Sequence, residues 1–320
     1  MIEKFQSLLA EFDNVQLNFN ESSLLALNIS IAFIMFGIAL GMKRSNFNEI
    51  AKSPKALIAG VFAQFLLLPA LTFVIIYFAN LPVSVSLGML LVAACPGGNI
   101  SNFITSLAKG NVALSVSLTA VADLLSILMT PLNFTFWGNL YIGTLPLQNP
   151  IVIPFMDVMQ TILLLMGIPL VLGLLFAQKF PKITSKIYTP IKNISIILFI
   201  GFVFFAIRAN GEYFFKYWYV LLPVVFVHNA LALTMGFFGA RILRLAKKNI
   251  RTITIETGIQ NSGLALVLIF NQKILPEGMG GVAGIAAMWG IWHIVSGLAI
   301  GFFWAKRYYK IVPAKQESKV

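Results

Sequence analysis

The sequence predicts an all-α polytopic membrane protein, and three observations carry that prediction. The chain is 58% hydrophobic and 11% charged, whereas a soluble domain carries about 25% charged residues. Its apolar residues gather into long runs, and about 20 such residues cross roughly 30 Å of hydrocarbon as a helix. The runs show no period-two alternation and are too long for barrel strands. A mean hydropathy of +0.87 leaves too little polar surface for a cytosolic enzyme, a disordered chain or a secreted disulfide scaffold.

Taken in order, residues 1–23 carry Glu3, Glu11, Asp13 and Glu21 against the single Lys4. That is the wrong charge for the start of a signal peptide. The segment reads as a retained external leader, with Phe5, Leu8, Leu9 and Phe12 forming a short interfacial helix. A membrane domain over 24–305 follows, then a cytoplasmic tail, 306–320. Nine runs fill the domain: 24–42, 56–79, 85–108, 112–137, 154–178, 191–209, 217–240, 252–272 and 280–305. Gly37 and Gly41 in the first, and Gly297 and Gly301 in the ninth, have the GxxxG spacing of close helix packing. Asp157 sits at the outer end of the fifth run, where it is solvated, and His228 stands beside Asn229 in the seventh as a core histidine. The longest connection, 138–153, divides four runs from five, which suggests two repeats, the first one helix short.

The basic residues orient the spans. With the N-terminus outside, 19 of the 23 Lys and Arg residues fall on the inner side: in 43–55, at Lys109, in 179–192, in 241–251 and in the tail. The exceptions are Lys4, Arg208, Lys216 and Lys273. The positive-inside rule then puts the C-terminus in the cytoplasm of a multi-pass cell-membrane protein. It also accounts for the net charge of +12 without nucleic acid. The lone Cys95 forms no internal disulfide.

Two runs contain what a plain membrane helix avoids. The third carries Cys95-Pro96-Gly97-Gly98-Asn99-Ile100-Ser101-Asn102, and the eighth carries Glu256-Thr257-Gly258-Ile259-Gln260-Asn261-Ser262-Gly263. Proline lacks the amide donor, and each glycine raises the cost of helix by about 1 kcal/mol. Backbone groups freed at that depth need partners, so such breaks persist where they are buried or line a polar cavity. The third run points inward and the eighth outward, at matching places in two inverted halves. Interrupted helices so placed mark the binding site of many secondary transporters. Half-helix N-termini offer amides to an anion, and freed carbonyls offer oxygen to a cation.

At these residues the chain resembles the bile acid:sodium symporter family. The resemblance rests on Cys95-Pro96-Gly97-Gly98, Ser101-Asn102, Lys109-Gly110-Asn111-Val112-Ala113-Leu114-Ser115-Val116, Thr254 to Leu264, and Trp292-His293. It covers roughly 24–305. It implies a panel domain (about 24–42 and 154–209), a core domain (about 56–137 and 217–305) and two discontinuous helices that cross. It further implies two sodium sites behind the crossing. The first would use Ser101, Asn102, Ser115, Thr119 and Glu256. The second would use Gln64, Glu256, Gln260 and the carbonyls of Thr257 and Ile259. Substrate would meet Asn99, Ile100, Ser101, Asn261 and His293.

Glu256 carries the most weight, because a carboxylate in mid-span costs about 2.5–3.5 kcal/mol on insertion scales and marks an ion path. Asp123 extends the stripe Ser115–Thr119–Asp123 along one helical face, where the family usually has a neutral hydroxyl. It is expected to add charge near the first cation site, tightening it or making transport pH-dependent. Asn99 stands where the family has Thr after Pro-Gly-Gly, and Ile294 where Asn often follows Trp-His. Both departures touch the substrate cavity and leave the sodium ligands intact. The expected function is sodium-coupled import of an organic anion, bile acid-like or smaller, by a monomer in the lipid bilayer. The alternatives are proton coupling through Asp123 and Glu256, or a membrane sensor that binds without turnover. No nucleophile–base pair, phosphate loop or transition-metal ligand spacing suggests an enzyme.

Overall fold

Residues 7–15, 21–42, 53–146, 151–209, 211–269, 274–275 and 279–311 are described in the computed structural model. Among them the regular elements are helices: α1 (Glu21–Gly41), α2 (Pro54–Ala79), α3 (Val83–Ala94), α4 (Ile100–Leu107), α5 (Val112–Ile142) and α6 (Phe155–Lys179). Then come α7 (Pro181–Ala209), α8 (Gly211–Ile242), α9 (Lys247–Gly258), α10 (Ser262–Ile269) and α11 (Gly280–Ile311). Five of these, α2, α5, α6, α8 and α11, contain described stretches long and apolar enough to cross a membrane. The third and eighth runs of the sequence are each divided, into α3/α4 and α9/α10, at the predicted breaks. Residues 270–273, the end of the eighth run, lie outside the described residues.

Two of the long helices widen in the middle. A π-turn occupies Ala63–Leu67 of α2 and another Leu163–Gly167 of α6. Each stands just before a proline, Pro69 or Pro169. A proline removes one backbone donor and its ring crowds the carbonyl four residues back, so the preceding turn opens. The turn in α2 holds Gln64.

α1 packs against α6 and α7. Elsewhere α3 lies on α11, α8 on α9 and α11, and α5 on α2, α3, α4, α6 and α9. α3 is buried from Ser84 to Ala94. Glycine permits its approach to α11, since a Cβ at Gly88 would lie 2.9 Å from the backbone of Val282. The GxxxG glycines also sit at contacts. A Cβ at Gly41 would lie 2.6 Å from Tyr188 of α7, and one at Gly297 2.7 Å from Ile104 of α4.

The N-terminal segment departs in part from expectation. It is helical over residues 7–10 and Glu11–Asn14, as expected, but it is also docked on protein. Leu9 is fully buried in the main core cluster, and Val15 pairs with Met279 ahead of α11. Asp13 accepts the amide of Ser84 at 2.8 Å, satisfying a donor in the first turn of α3. Glu11 accepts from Tyr217 and, at 3.3 Å, from Lys216, both on α8. Acidic side chains therefore fasten this segment to the ends of two helices, α3 and α8. The hydrophobic pattern alone does not report this. Phe5 lies outside the described residues.

Candidate functional site

The two breaks meet. Gly97 and Gln260 pair in antiparallel fashion. The Gly98 amide donates to Ile259 O at 2.8 Å and the Asn261 amide to Pro96 O at 2.8 Å. Each break thus supplies the backbone partners that the other lacks. Glycine is needed for this approach: a Cβ at Gly98 would lie 3.1 Å from Gln260 O, and one at Gly97 3.0 Å from Glu256 Oε2. Side chains satisfy the carbonyls at the ends of the first half-helices. Gln64 Nε2 donates to Cys95 O at 2.8 Å, Thr130 Oγ1 to Ala94 O at 2.8 Å, and Asn229 Nδ2 to Gly258 O at 2.7 Å.

Behind this crossing the structure gathers most of the first predicted cation set. Glu256, near the end of α9, is 5% exposed. Its Oε1 accepts from Ser101 Oγ of α4 at 2.7 Å and from Ser115 Oγ of α5. Thr119, one turn beyond Ser115, has its hydroxyl 3.3 Å from Oε2 and 3.0 Å from Ser115 O. The spacing of four residues puts Ser115 and Thr119 on one face of α5, as predicted. Asn102 is less closely joined. Its Nδ2 reaches Asn99 O at 3.4 Å, and its Oδ1 is buried without a partner.

The second set also converges. Gln64 and Gln260 form a reciprocal amide pair, at 2.6 and 3.2 Å. Gln260 Nε2 also donates to Thr257 O at 2.7 Å. The carbonyls of Thr257 and Ile259 each accept one hydrogen bond, and a carbonyl oxygen retains a second lone pair. Carboxylate, hydroxyl, amide and carbonyl oxygens are the hard ligands that an alkali cation takes, and Gln64, Glu256 and Gln260 are all buried.

The residues predicted for substrate divide. Asn99 is exposed at the start of α4, and Ile100 and Asn261 are half-buried. Asn261 Oδ1 caps α10 by accepting the Leu264 amide at 3.1 Å. Ser101 is fully buried and bound to Glu256, which puts it with the cation set. His293 is 5% exposed, and its Nδ1 has no partner. His228 is a core histidine. Its Nε2 lies 2.8 Å from Thr72 Oγ1, which also lies 2.8 Å from Leu68 O. Asp157 is half-buried in the first turn of α6. Asp123 is fully buried on the same stripe as Ser115 and Thr119.

Three contributors went unremarked in the sequence. Thr105 lies 3.2 Å from Ser115, Thr130 caps the end of α3, and Ser296 donates to Asn229 Oδ1 at 2.6 Å, behind the second break. Asn229 drew notice as the neighbour of His228, and its amide was the available signal. A threonine or serine inside an apolar run bonds so commonly to its own helix that the hydroxyl alone carries no signal.

Residues 28–217 match the family model described as the Sodium Bile acid symporter family. The uncharacterized sodium-dependent transporter YocS of Bacillus subtilis is 30% identical over 284 residues, 89% of this chain and 84% of that protein. The probable sodium/metabolite cotransporter BASS2 of rice chloroplasts is 30% identical over 286 residues, 87% of this chain and 64% of that protein. The human ileal sodium/bile acid cotransporter is 26% identical over 300 residues, 92% of this chain and 82% of that protein.

Proposed function

The chain belongs to the sodium bile acid symporter family, and on that premise we propose that it imports an organic anion together with sodium by alternating access. The observation that carries this reading is the separation of two chemistries by one crossing. On one side Glu256 and its hydroxyl partners are buried. Beyond it, the half-helix N-termini carry an exposed Asn99 and a half-buried Asn261, which in this reading face an incoming molecule.

Two sodium ions would be cargo at the buried layer. Ser101, Asn102, Ser115, Thr119 and Glu256 hold the first. Gln64, Glu256, Gln260 and the Thr257 and Ile259 carbonyls hold the second. A shared carboxylate makes the two bindings interdependent, since each cation orders the group that the other needs. Substrate would meet Asn99, Ile100, Ser101, Asn261 and His293, with positive helix ends facing its carboxylate or sulfonate.

In this reading α1, α6 and α7 form the panel, and the other helices form the core that moves against it. The nine spans form two inverted repeats, with the N-terminus outside and the C-terminus in the cytoplasm of a monomer in the cell membrane. The antiparallel pairing of the breaks and the common packing of α1, α6 and α7 support that reading.

The test is uptake into proteoliposomes of bile acids, pantoate-like acids and keto acids, with sodium or with choline at fixed pH. Sodium-dependent uptake is expected. Its absence for every acid overturns the proposal, and equal uptake in choline transfers the coupling to protons. Glu256→Ala is expected to abolish coupling, and sodium-driven uptake that survives it refutes the assignment of that residue.

A further inference from the structure

Among the described residues the buried acids are Glu256 and Asp123. Symport as proposed above employs the first. Asp123 is 0% exposed, and neither carboxylate oxygen has a hydrogen-bond partner. It lies on a polar stripe of α5, Ser115–Thr119–Asp123–Ser126–Thr130, whose spacings of four, four, three and four keep it on one face.

The hydroxyl hydrogens along that stripe have other destinations. Ser115 donates to Glu256, Thr119 to Ser115 O at 3.0 Å, Ser126 to Asp123 O at 2.8 Å and Thr130 to Ala94 O at 2.8 Å. None of these hydrogens is given to the Asp123 carboxylate. The helices packed on α5 bring no fixed cation to it either. Glu256 of α9 acts on it electrostatically and has the same sign. Buried Cys95 follows α3 and carries no positive charge. Lys55 is at the start of α2 and Tyr77 near its end, and Asp157 and Lys179 are at the ends of α6. Lys247 and Lys248 open α9, Lys109 follows α4, and Arg251 donates to Ala108 O at 2.8 Å.

A buried carboxylate with no hydrogen-bond donor is unfavourable unless it takes up a proton or a cation joins it. We propose that Asp123 anchors a third cation position, which takes one sodium ion in addition to the two assigned around Glu256. The oxygens of Thr119 and Ser126, one turn to either side, are the neighbouring donors of electron density. Charge balance favours this position. Two sodium ions on one carboxylate leave a single excess positive charge, which a monovalent organic anion neutralises. An ionised Asp123 alone would cancel that excess, whereas an ionised Asp123 with a third sodium ion restores it. The inference rests on the sodium-symport reading and raises its ion count by one.

The experiment is equilibrium binding of radioactive sodium to the purified full-length protein in detergent, with choline holding ionic strength constant. Unaltered protein, Asp123→Asn and Glu256→Gln are compared. Asp123→Asn is expected to bind one ion fewer per chain than unaltered protein. If Asp123→Asn binds as many ions, as tightly, the third position is overturned while symport stands. Sodium absent from the unaltered protein overturns both. Glu256→Gln that retains every ion overturns the Glu256 sites, and the difference at Asp123 is then read independently. Size-exclusion chromatography monitors folding, and Asp123→Ser gives the same reading if the amide variant does not fold.

Discussion

Gln64 and Asn229 do the same structural work at the two breaks, and replacing each by leucine separates that work from cation binding. Asn229 is fully buried, donates to Gly258 O at 2.7 Å and accepts from Ser296 Oγ at 2.6 Å. In Asn229→Leu the Ser296 hydroxyl falls back on His293 O, already 3.2 Å away. Gly258 O has no such alternative, because α9 ends there. Orphaning a buried acceptor costs about 1–3 kcal/mol, while interhelical hydrogen bonds in membranes average about 0.6 kcal/mol. A loss of about 1–2 kcal/mol is therefore expected. Gln64→Leu loses the equivalent bond to Cys95 O and also removes a proposed sodium ligand. The assay is thermal unfolding in detergent with choline or with saturating sodium. A cation at about 100 times its dissociation constant adds about 2.7 kcal/mol of stability per site. Both variants should be weakened in choline. Asn229→Leu should keep the whole sodium increment, and Gln64→Leu should lose the part due to the second site. An equal sodium increment in the two variants would refute the ligand assignment. Unchanged stability of Asn229→Leu in choline would refute the capping argument.

Two further outcomes are expected. Gly97→Ala puts a methyl carbon 3.0 Å from Glu256 Oε2, an overpacking that costs about 1–3 kcal/mol. The carboxylate must yield, so the variant should show weakened sodium binding by the same radioactive assay, and unchanged affinity would contradict the placement of Glu256. Glu11, on the docked N-terminal segment, is held below the usual carboxylate range by hydrogen bonds from Tyr217 and then Lys216. Its contribution is full above that usual range and is lost as pH falls through the lowered value. Hydrogen exchange of 7–15 should therefore rise at acid pH, and Glu11→Gln should abolish that step.

The broken helices were legible because their composition conflicts with their surroundings. Pro96, Gly97 and Gly98 defeat a helix, and Glu256, Gln260 and Asn261 have no reason to sit in an apolar run unless something polar meets them. The hydroxyl cluster around Glu256 was legible by resemblance, and in part by the spacing of Ser115 and Thr119. Gln64 was less accessible to pattern. It lies in a π-turn, so counting 3.6 residues per turn from its neighbours misplaces it, and the cause of the turn, Pro69, lies five residues away. The docking of 7–15 was hidden for a different reason. It depends on Asp13 and Glu11 meeting Ser84, Lys216 and Tyr217. Those pairings span some seventy to two hundred residues and leave no local periodicity.

The crossing bears on how cation and substrate would be coupled. Between Glu256 and Asn261 the chain passes in five steps from a buried carboxylate to the cap of α10. Ile259 O and the Asn261 amide hold it to the first break, while Gln260 turns inward to Gln64. A sodium ion that drew on the Thr257 and Ile259 carbonyls would fix this short segment, and with it the direction in which the amides of α10 point. The Gly98 and Pro96 bonds would carry the same constraint to α4. On the proposed reading, cations therefore act on the anion site through backbone that both share, with no large rearrangement in between. Linkage then requires the reciprocal effect: an anion that binds the ordered ends must tighten sodium by the factor by which sodium tightens the anion. The paired backbone makes that coupling depend on both breaks together, so damage to either should weaken both ligands.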